Sequence, residues 1–220
     1  MPSLALFEAA LRAADRRTIS KLRDPHRIQE FLDGIEYSCV DTYRCPIRVL
    51  RERTGHCYDG AVFAAAMLRR LGQPAILLEM LSNGRDDGHV LALFRQGGHW
   101  GAVAKSNFTG LRFREPIHRS PRELIVSYFE QYYNLAREKT LAGYTKPLNL
   151  RRFERLPWMT EDGPLYELAD ALDAQPRYQL LTPAMARALQ RVDELTYRAG
   201  MAGSNPAGLY QPTVRRRRSG

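Results

Sequence analysis

The segment 57–72, CYDGAVFAAAMLRRLG, constrains the fold most, because it is apolar over most of the circumference of a helix. A helix with this pattern is typically buried on most of its sides. Gly72 is a suitable C-terminal stop, and Pro74 breaks the chain soon afterwards. The sequence therefore predicts a central helix with Cys57 at its N-terminus.

Three strand-like segments follow this predicted helix, separated by two short turns. The apolar run 75–81 is bounded by breakers and predicts a buried strand, and the segments 89–95 and 99–105 predict two more. Short turns between strands are typical of an antiparallel meander. The order of elements predicts an α+β fold, in which the Cys-bearing helix packs on a small antiparallel sheet with extra helices at both ends.

The flanking segments are mostly helical in pattern. Asp24 followed by Pro25 favours a helix start, as does the capping-box pair of Ser120 and Glu123. The polar, aromatic stretch 36–44 is typical of a loop. The predicted flanking helices are 4–17, 25–34, 46–53, 121–135, 165–172 and 182–198. We expect one domain over residues 1–199, with its core at about 40–140, and a disordered basic tail over 200–220.

Charge and hydropathy restrict the partners of the chain. The net charge is +9, and the run 215–218 supplies four of the arginines, so the remaining excess is spread along the chain as on a solvated surface. No recognisable nucleic-acid module is present, so no specific nucleic-acid partner is expected. No stretch approaches the about 18 apolar residues that span a bilayer. The first residues lack the basic and apolar regions of a signal peptide, which predicts a cytoplasmic protein.

The three cysteines, Cys39, Cys45 and Cys57, point to a reactive thiol. An odd number without metal-ligand spacing is atypical of a disulfide scaffold or a zinc site. A site of His56, His89 and His99 would lack the local spacing of zinc motifs. We therefore expect no metal and no cofactor.

Cys57 and His89 together predict nucleophilic chemistry. The thiolate is the reactive form of cysteine, and the partial positive charge at a helix N-terminus stabilises it. An imidazole at the start of the second strand lowers the thiol pKa further and protonates a leaving group. Backbone N–H groups at the helix start provide donors for an oxyanion. The alternative for Cys57 is a small buried core residue, and for His89 a satisfied histidine at a strand edge.

The sequence resembles the transglutaminase-like, papain-like cysteine protease superfamily. In RTGHCYDGAVFAAAMLRRLGQPAILLEML, a Gly-x-Cys opens an alanine-rich helix and a Gly-x-Pro turn leads into a strand. In DGHVLALFRQGGHW, His89 and Trp100 match the histidine strand and the tryptophan that opens the next one. The resemblance covers about residues 22–160. Within it, the segment 100–134 also resembles a little-characterised bacterial branch of the superfamily.

The resemblance implies a third catalytic residue that this sequence lacks. The superfamily places an aspartate on the strand after the histidine strand, and no acid follows Trp100 there. Asn107 is the candidate to orient the imidazole, with Ser106 behind it, since an amide can hold the productive tautomer. The alternative for Asn107 is a turn residue. Asp86 and Asp87 could serve instead, although turn positions explain both.

The residues around this predicted site suggest where a substrate binds. Trp100, Lys105 and Ser106 are candidate substrate-binding residues. The polar stretch that contains Arg112 and Arg114 predicts either a solvated loop or the rim of a substrate cleft.

The resemblance implies a cysteine-dependent acyl-transfer enzyme. It would act on an amide or peptide bond through a thioester, as a protease, an amidase or a transglutaminase, with a peptide or protein as its substrate. The alternative is a catalytically inactive binding or scaffold protein that keeps the fold, which the missing acid favours.

Overall fold

The computed structural model describes residues 2–40 and 42–210. Its helices are α1 (Ser3–Ala10), α2 (Ala13–Ile19), α3 (Pro25–Asp33), α4 (Pro46–Glu52), α5 (Cys57–Arg70), α6 (Pro121–Val126), α7 (Gly163–Asp173), α8 (Pro183–Ala188) and α9 (Glu194–Gly200). Its strands are β1 (Glu36–Tyr37), β2 (Thr54–Gly55), β3 (Ile76–Ser82), β4 (His89–Gln96), β5 (His99–Val103), β6 (Arg114–His118), β7 (Leu141–Thr145), β8 (Leu148–Asn149) and β9 (Arg177–Gln179).

An antiparallel sheet forms the centre of the described residues. Its strand order is β6-β5-β4-β3-β7-β9, and β8 pairs with β3. The predicted meander is its middle, with Leu78 opposite Leu91 and Leu93 opposite Ala102. The predicted α+β fold, with a Cys-bearing helix on an antiparallel sheet and helices at both ends, is confirmed. The sheet is larger than predicted, because β6, β7, β8 and β9 extend it.

Helix α5 lies in the larger of two apolar cores. Its residues from Ala61 to Leu68 are all almost fully buried, and Phe63 stacks on Phe31 of α3 at 4.8 Å between ring centroids. Strand β4 contributes alternate residues to the two cores, with Val90 on the helix side and Leu91 on the other side. The sheet therefore lies between two apolar layers, and α5 is central, as its apolar circumference predicts.

The predicted helix 4–17 is broken into α1 and α2. Arg12 adopts an extended conformation, and its backbone N–H donates to Asp15 Oδ2 at 2.9 Å. The same carboxylate accepts from the Arg51 guanidinium at 2.8 Å. A new helix start at Arg12, fixed by a tertiary ion pair, replaces the continuous helix.

Two further predicted helices are shorter than their patterns indicate. Helix α6 ends at Val126, because the chain turns so that Tyr132 O accepts from Thr140 N at 3.0 Å. The segment 182–198 divides into α8 and α9, because Val192 is buried and its N–H donates to Arg137 O at 2.9 Å. In both places a tertiary contact overrides local helical preference.

Two other segments also differ from expectation. The polar stretch near Arg114 forms the strand β6 rather than a solvated loop. Of the tail predicted to be disordered, the part up to Tyr210 packs on the rest of the chain, while 211–220 lies outside the described residues. Within the described residues, no helix is long and apolar enough to cross a membrane.

Candidate active site

Cys57 is the first residue of α5, and a buried polar network fixes this helix start. Asp59 is fully buried, and its carboxylate accepts from His56 N at 3.2 Å and from Arg44 N at 2.8 Å. The Arg44 guanidinium pairs with the same carboxylate at 3.5 Å. His56 caps the helix by accepting from Asp59 N. The position of the thiol is therefore set by groups that do not depend on a substrate.

The surroundings of the thiol hold it in the protonated form. Cys57 is half-buried at the side of a cleft, and its removal from water raises the thiol pKa to about 12, with Asp87 adding to the rise. The backbone N–H groups of Val90 and Tyr58 act in the opposite direction. From the sequence we expected the helix N-terminus to lower the thiol pKa of Cys57, but burial outweighs this effect.

His89 is the first residue of β4 and is also held uncharged. It is 5% exposed, and burial lowers its pKa to about 4, while a hydrogen bond to Leu111 opposes the shift. Its Nε2 lies 2.8 Å from Leu111 O. A carbonyl only accepts, so this bond assigns the hydrogen to Nε2 and leaves the lone pair on Nδ1. At neutral pH the imidazole is thus a neutral base.

One small cavity of about 60 Å³ is lined by both Cys57 and His89. Ser106 and Asn107 line it too, so the structure brings four of the six sequence-predicted site residues together. The cavity lies at the end of the sheet, where Leu111 and other residues of the second core meet the start of the helix.

Asn107 binds the backbone of the C-terminal segment. Its Oδ1 accepts from Asn205 N at 2.7 Å, and its Nδ2 donates to Asn205 O at 2.9 Å. Ser106 Oγ accepts from Phe108 N at 3.0 Å, which is a local turn contact. The amide and the hydroxyl therefore stabilise the wall of the cavity, while the hydrogen bond of His89 goes to Leu111.

Lys105 and Trp100 are engaged away from this cavity. Lys105 is 5% exposed, and its Nζ donates to Leu32 O at 2.8 Å in the last turn of α3 and to Ile35 O at 2.6 Å just after it. Burial lowers its pKa to about 8. The Trp100 ring lies 5.0 Å from the Arg95 guanidinium on the neighbouring strand. These contacts give both side chains structural partners.

The two aspartates before His89 shape the turn and reach the same cavity. Asp86 Oδ2 accepts from Thr140 Oγ1 at 2.8 Å, and burial raises the pKa of this carboxyl. Asp87 O accepts from the Tyr132 hydroxyl at 2.7 Å. Both line the cavity as turn residues, and the charge of Asp87 raises the thiol pKa.

Tyr37 is the site residue that the sequence does not reveal. It belongs to β1, within a segment that predicts a loop, and no motif marks it. Burial raises the pKa of its phenol, and the nearby backbone N–H of Cys57 opposes this rise. A phenol hydroxyl and a backbone N–H therefore lie near each other beside the thiol.

A cleft of about 490 Å³ gives access to Cys57. Aromatic rings border it, with Tyr43 and Tyr58 4.5 Å apart between centroids. Carboxyl groups of Glu79 and Asp173 also border it. Burial raises the pKa of Glu79 to about 7, and the neighbouring Asp173 adds to the rise. The cleft thus offers apolar surface and carboxyl groups around the thiol.

The segment 204–210, here called the strap, lies across this cleft. Its residues from Ala207 to Tyr210 line the cleft, and Asn205 ties it to Asn107. Gly208 packs directly on Tyr37, where a Cβ atom would lie 2.8 Å from the ring. The strap therefore covers part of the approach to Cys57, and its closest contact admits only glycine.

Comparisons with known proteins give a distant structural likeness. No protein-family model matches the chain, and no curated protein sequence does. Among solved structures, EGTA-treated Legionella pneumophila LapG matches at 12% identity and a TM-score of 0.40, covering 78% of this chain and 96% of LapG. Another LapG structure matches at 13% identity and a TM-score of 0.39, with the same coverage. The roles of individual residues therefore rest on the geometry of this chain.

Removal of the strap is expected to expose the thiol. In a chain that ends at Gly203, iodoacetamide should alkylate Cys57 roughly tenfold faster than in a chain that keeps the strap, at the same pH. The reagent then reaches the thiol without local opening of the strap. Asn107→Ala, which removes both bonds to Asn205, should give a smaller increase. Mass spectrometry of the Cys57 peptide measures the rate. A chain that ends at Tyr210 is the control, and equal rates in all chains would contradict the prediction.

The neutral state of His89 predicts a loss of stability in acid. The ring has a pKa of about 4 when folded and an ordinary value of 6.5, so the unfolded chain binds more protons between these values. Stability from this group is therefore present above pH 6.5 and is lost as pH falls to 4, by about 3 kcal/mol. Urea unfolding at pH 7 and pH 4.5 measures the loss. His89→Gln should show a smaller loss, and an unchanged difference would refute the assignment.

Proposed function

We propose that this chain is a cysteine-dependent acyl-transfer enzyme that cleaves or transfers an amide or peptide bond through a thioester. The observation that carries the proposal is that Cys57 and His89 line the same small cavity. The Nε2 of His89 is bound there to Leu111 O. A nucleophile, a base and a group that orients the base are the parts that such chemistry needs. The resemblance of the Cys helix and the His strand to the transglutaminase-like superfamily supports the same reaction.

The reaction begins from a neutral thiol and a neutral imidazole. Nδ1 of His89 accepts the thiol proton as the sulfur of Cys57 attacks the substrate carbonyl, which forms the C–S bond and places the electron pair on oxygen. When the tetrahedral intermediate collapses, the C–N bond breaks and the imidazolium protonates the departing amine. Water or a second amine then attacks the thioester and releases the thiol.

The developing oxyanion has two donors in this proposal. The backbone N–H of Cys57 and the hydroxyl of Tyr37 lie near each other at the helix start, and each can donate a hydrogen to the oxyanion. A donor of this kind typically contributes about 10²–10³ in rate. Tyr37 therefore takes a catalytic role in this proposal. Trp100 and Lys105, which the sequence suggests as substrate-binding residues, have their contacts elsewhere.

The third member of the catalytic group is a backbone carbonyl in this proposal. Leu111 O takes the orienting role that the sequence suggests for Asn107. A carbonyl fixes the tautomer but carries no full negative charge, so it stabilises the imidazolium less than a carboxylate does. The low pKa of His89 agrees with this weaker support.

The alternative is a binding protein that keeps the fold without turnover. The shifted pKa values favour it, because a thiol near 12 and an imidazole near 4 resist the charge transfer that catalysis requires. The strap also favours a binding protein without turnover, because the strap covers part of the cleft that leads to Cys57.

A substrate survey distinguishes the two functions. The chain that ends at Gly203, which lacks the strap, is incubated with a peptide library and a glutamine-donor library, and products are read by mass spectrometry. Cys57→Ala should abolish turnover and the thioester adduct, while the matched Cys39→Ala, which alters the other cysteine of the cleft, should retain both. Substrate binding without product or adduct in the unsubstituted protein would favour the binding protein.

A further inference from the structure

The Leu111 carbonyl that binds His89 lies in a short turn. The carbonyl groups of the residues before and after Leu111 accept hydrogen bonds from side chains outside that turn. The 3₁₀ turn Thr109–Leu111 precedes β6. Gly110 O accepts from Arg114 Nη2 at 2.9 Å, and Arg112 O accepts from the Tyr128 hydroxyl at 2.7 Å. The peptide groups on both sides of Leu111 O are therefore fixed by these two side chains.

Arg114 and Tyr128 also hold each other. The guanidinium lies 3.8 Å from the centroid of the Tyr128 ring, a cation–π contact. Its Nε donates to Ser127 Oγ at 3.1 Å, and its Nη1 donates to Phe113 O at 3.0 Å. Tyr128 is fully buried in the second core. The two side chains thus connect the turn to a rigid part of the structure.

The turn is restrained at its other end as well. Thr109 Oγ1 donates to Ala199 O in α9 at 3.2 Å. Gly110 packs against Gln131, where a Cβ atom would lie 2.6 Å from the side chain. With the turn fixed at both ends, Leu111 O keeps a single direction, which is toward His89.

We propose that Arg114 and Tyr128 are positioning residues for the catalytic imidazole, which they hold in the Nε2–H form through Leu111 O. The inference rests on the proposed function for its catalytic meaning, but its structural content stands without turnover. If the contacts of Arg114 and Tyr128 with the turn are lost, Leu111 O can move away from His89. The buried Nε2–H then has no acceptor. The ring then shifts toward the Nδ1–H form, which occupies the lone pair that the proposed function uses as the base.

Nitrogen NMR of the histidine rings tests this assignment in the full chain. The unsubstituted protein should show His89 with hydrogen on Nε2, and Tyr128→Phe, which removes one hydroxyl, should raise the Nδ1–H fraction several-fold. Arg114→Gln should raise it further. The controls are Tyr178→Phe and Arg119→Gln, which alter exposed residues. Tyr128→Phe keeps the ring in the core, so the test does not depend on the folding of Arg114→Gln.

The outcomes separate a positioning role from a structural one. A lower melting temperature with an unchanged His89 tautomer in Tyr128→Phe would overturn the proposal, since a merely structural role moves only stability. A shifted tautomer supports it, even if the unsubstituted protein proves to have no turnover, in which case the proposed function alone fails. Where turnover is found, kcat should fall about tenfold with little change in KM.

Discussion

His89→Gln is expected to lower turnover by about 10³-fold or more while leaving the fold intact. The glutamine amide can donate to Leu111 O as Nε2 does, so the buried acceptor stays paired. It has no equivalent of the Nδ1 lone pair, so nothing takes the proton of Cys57. Because the thiol pKa is raised to about 12, very little thiolate exists without a base at neutral pH.

The control for this variant is another buried histidine that lies outside the cavity. His118 is 8% exposed and its Nδ1 bonds to Trp100 O at 3.1 Å, so His118→Asn preserves that contact and should keep nearly full turnover. Single-turnover rates and circular dichroism measure the two effects. Equal activity of His89→Gln and the unsubstituted protein would exclude His89 as the base.

Gly60→Ala is expected to reduce the free energy of unfolding by about 3 kcal/mol, the upper range for an overpacked core. A Cβ atom at Gly60 would lie 2.2 Å from Lys105 Cβ and 3.4 Å from its Cα, so the close contact is with the base of the side chain. Lys105 cannot move away easily, because its Nζ is bound to Leu32 O and Ile35 O. Relief requires a shift of α5 itself, which carries Cys57.

Gly163→Ala is the matched control. Gly163 begins α7, and nothing lies within 4 Å of a Cβ atom placed there. Alanine at that helical position should be neutral or slightly stabilising. Urea unfolding of both variants gives the comparison, and a similar small effect at Gly60 would show that the contact between helix and strand is looser than the distances indicate.

Local patterns predict the scaffold of the site well. The apolar circumference of α5, the breakers after it and the alternation of β4 act over a few residues, so the helix start at Cys57 and the strand start at His89 can be read from the sequence. The Ser120 cap is local too, and its Oγ accepts from Glu123 N at 3.1 Å.

The partners of the site are not local, so the sequence does not reveal them. Asn107 binds Asn205 across 98 positions, and Tyr37 reaches the N–H of Cys57 through tertiary packing. The helix predicted over 182–198 fails for the same reason, since Val192 pairs with Arg137. A backbone acceptor such as Leu111 O carries no signature in residue identity, because every residue has one.

The backbone partner of His89 has a genetic consequence. A side-chain aspartate or asparagine can be lost through one codon change, but no substitution of Leu111 deletes its carbonyl oxygen. In chains whose histidine binds a backbone carbonyl in this way, the absence of an acid after the residue that matches Trp100 therefore does not show that the site has lost its function. The positions that report whether such a site is kept are those that fix the direction of the carbonyl, and they lie outside the segments around Cys57 and His89.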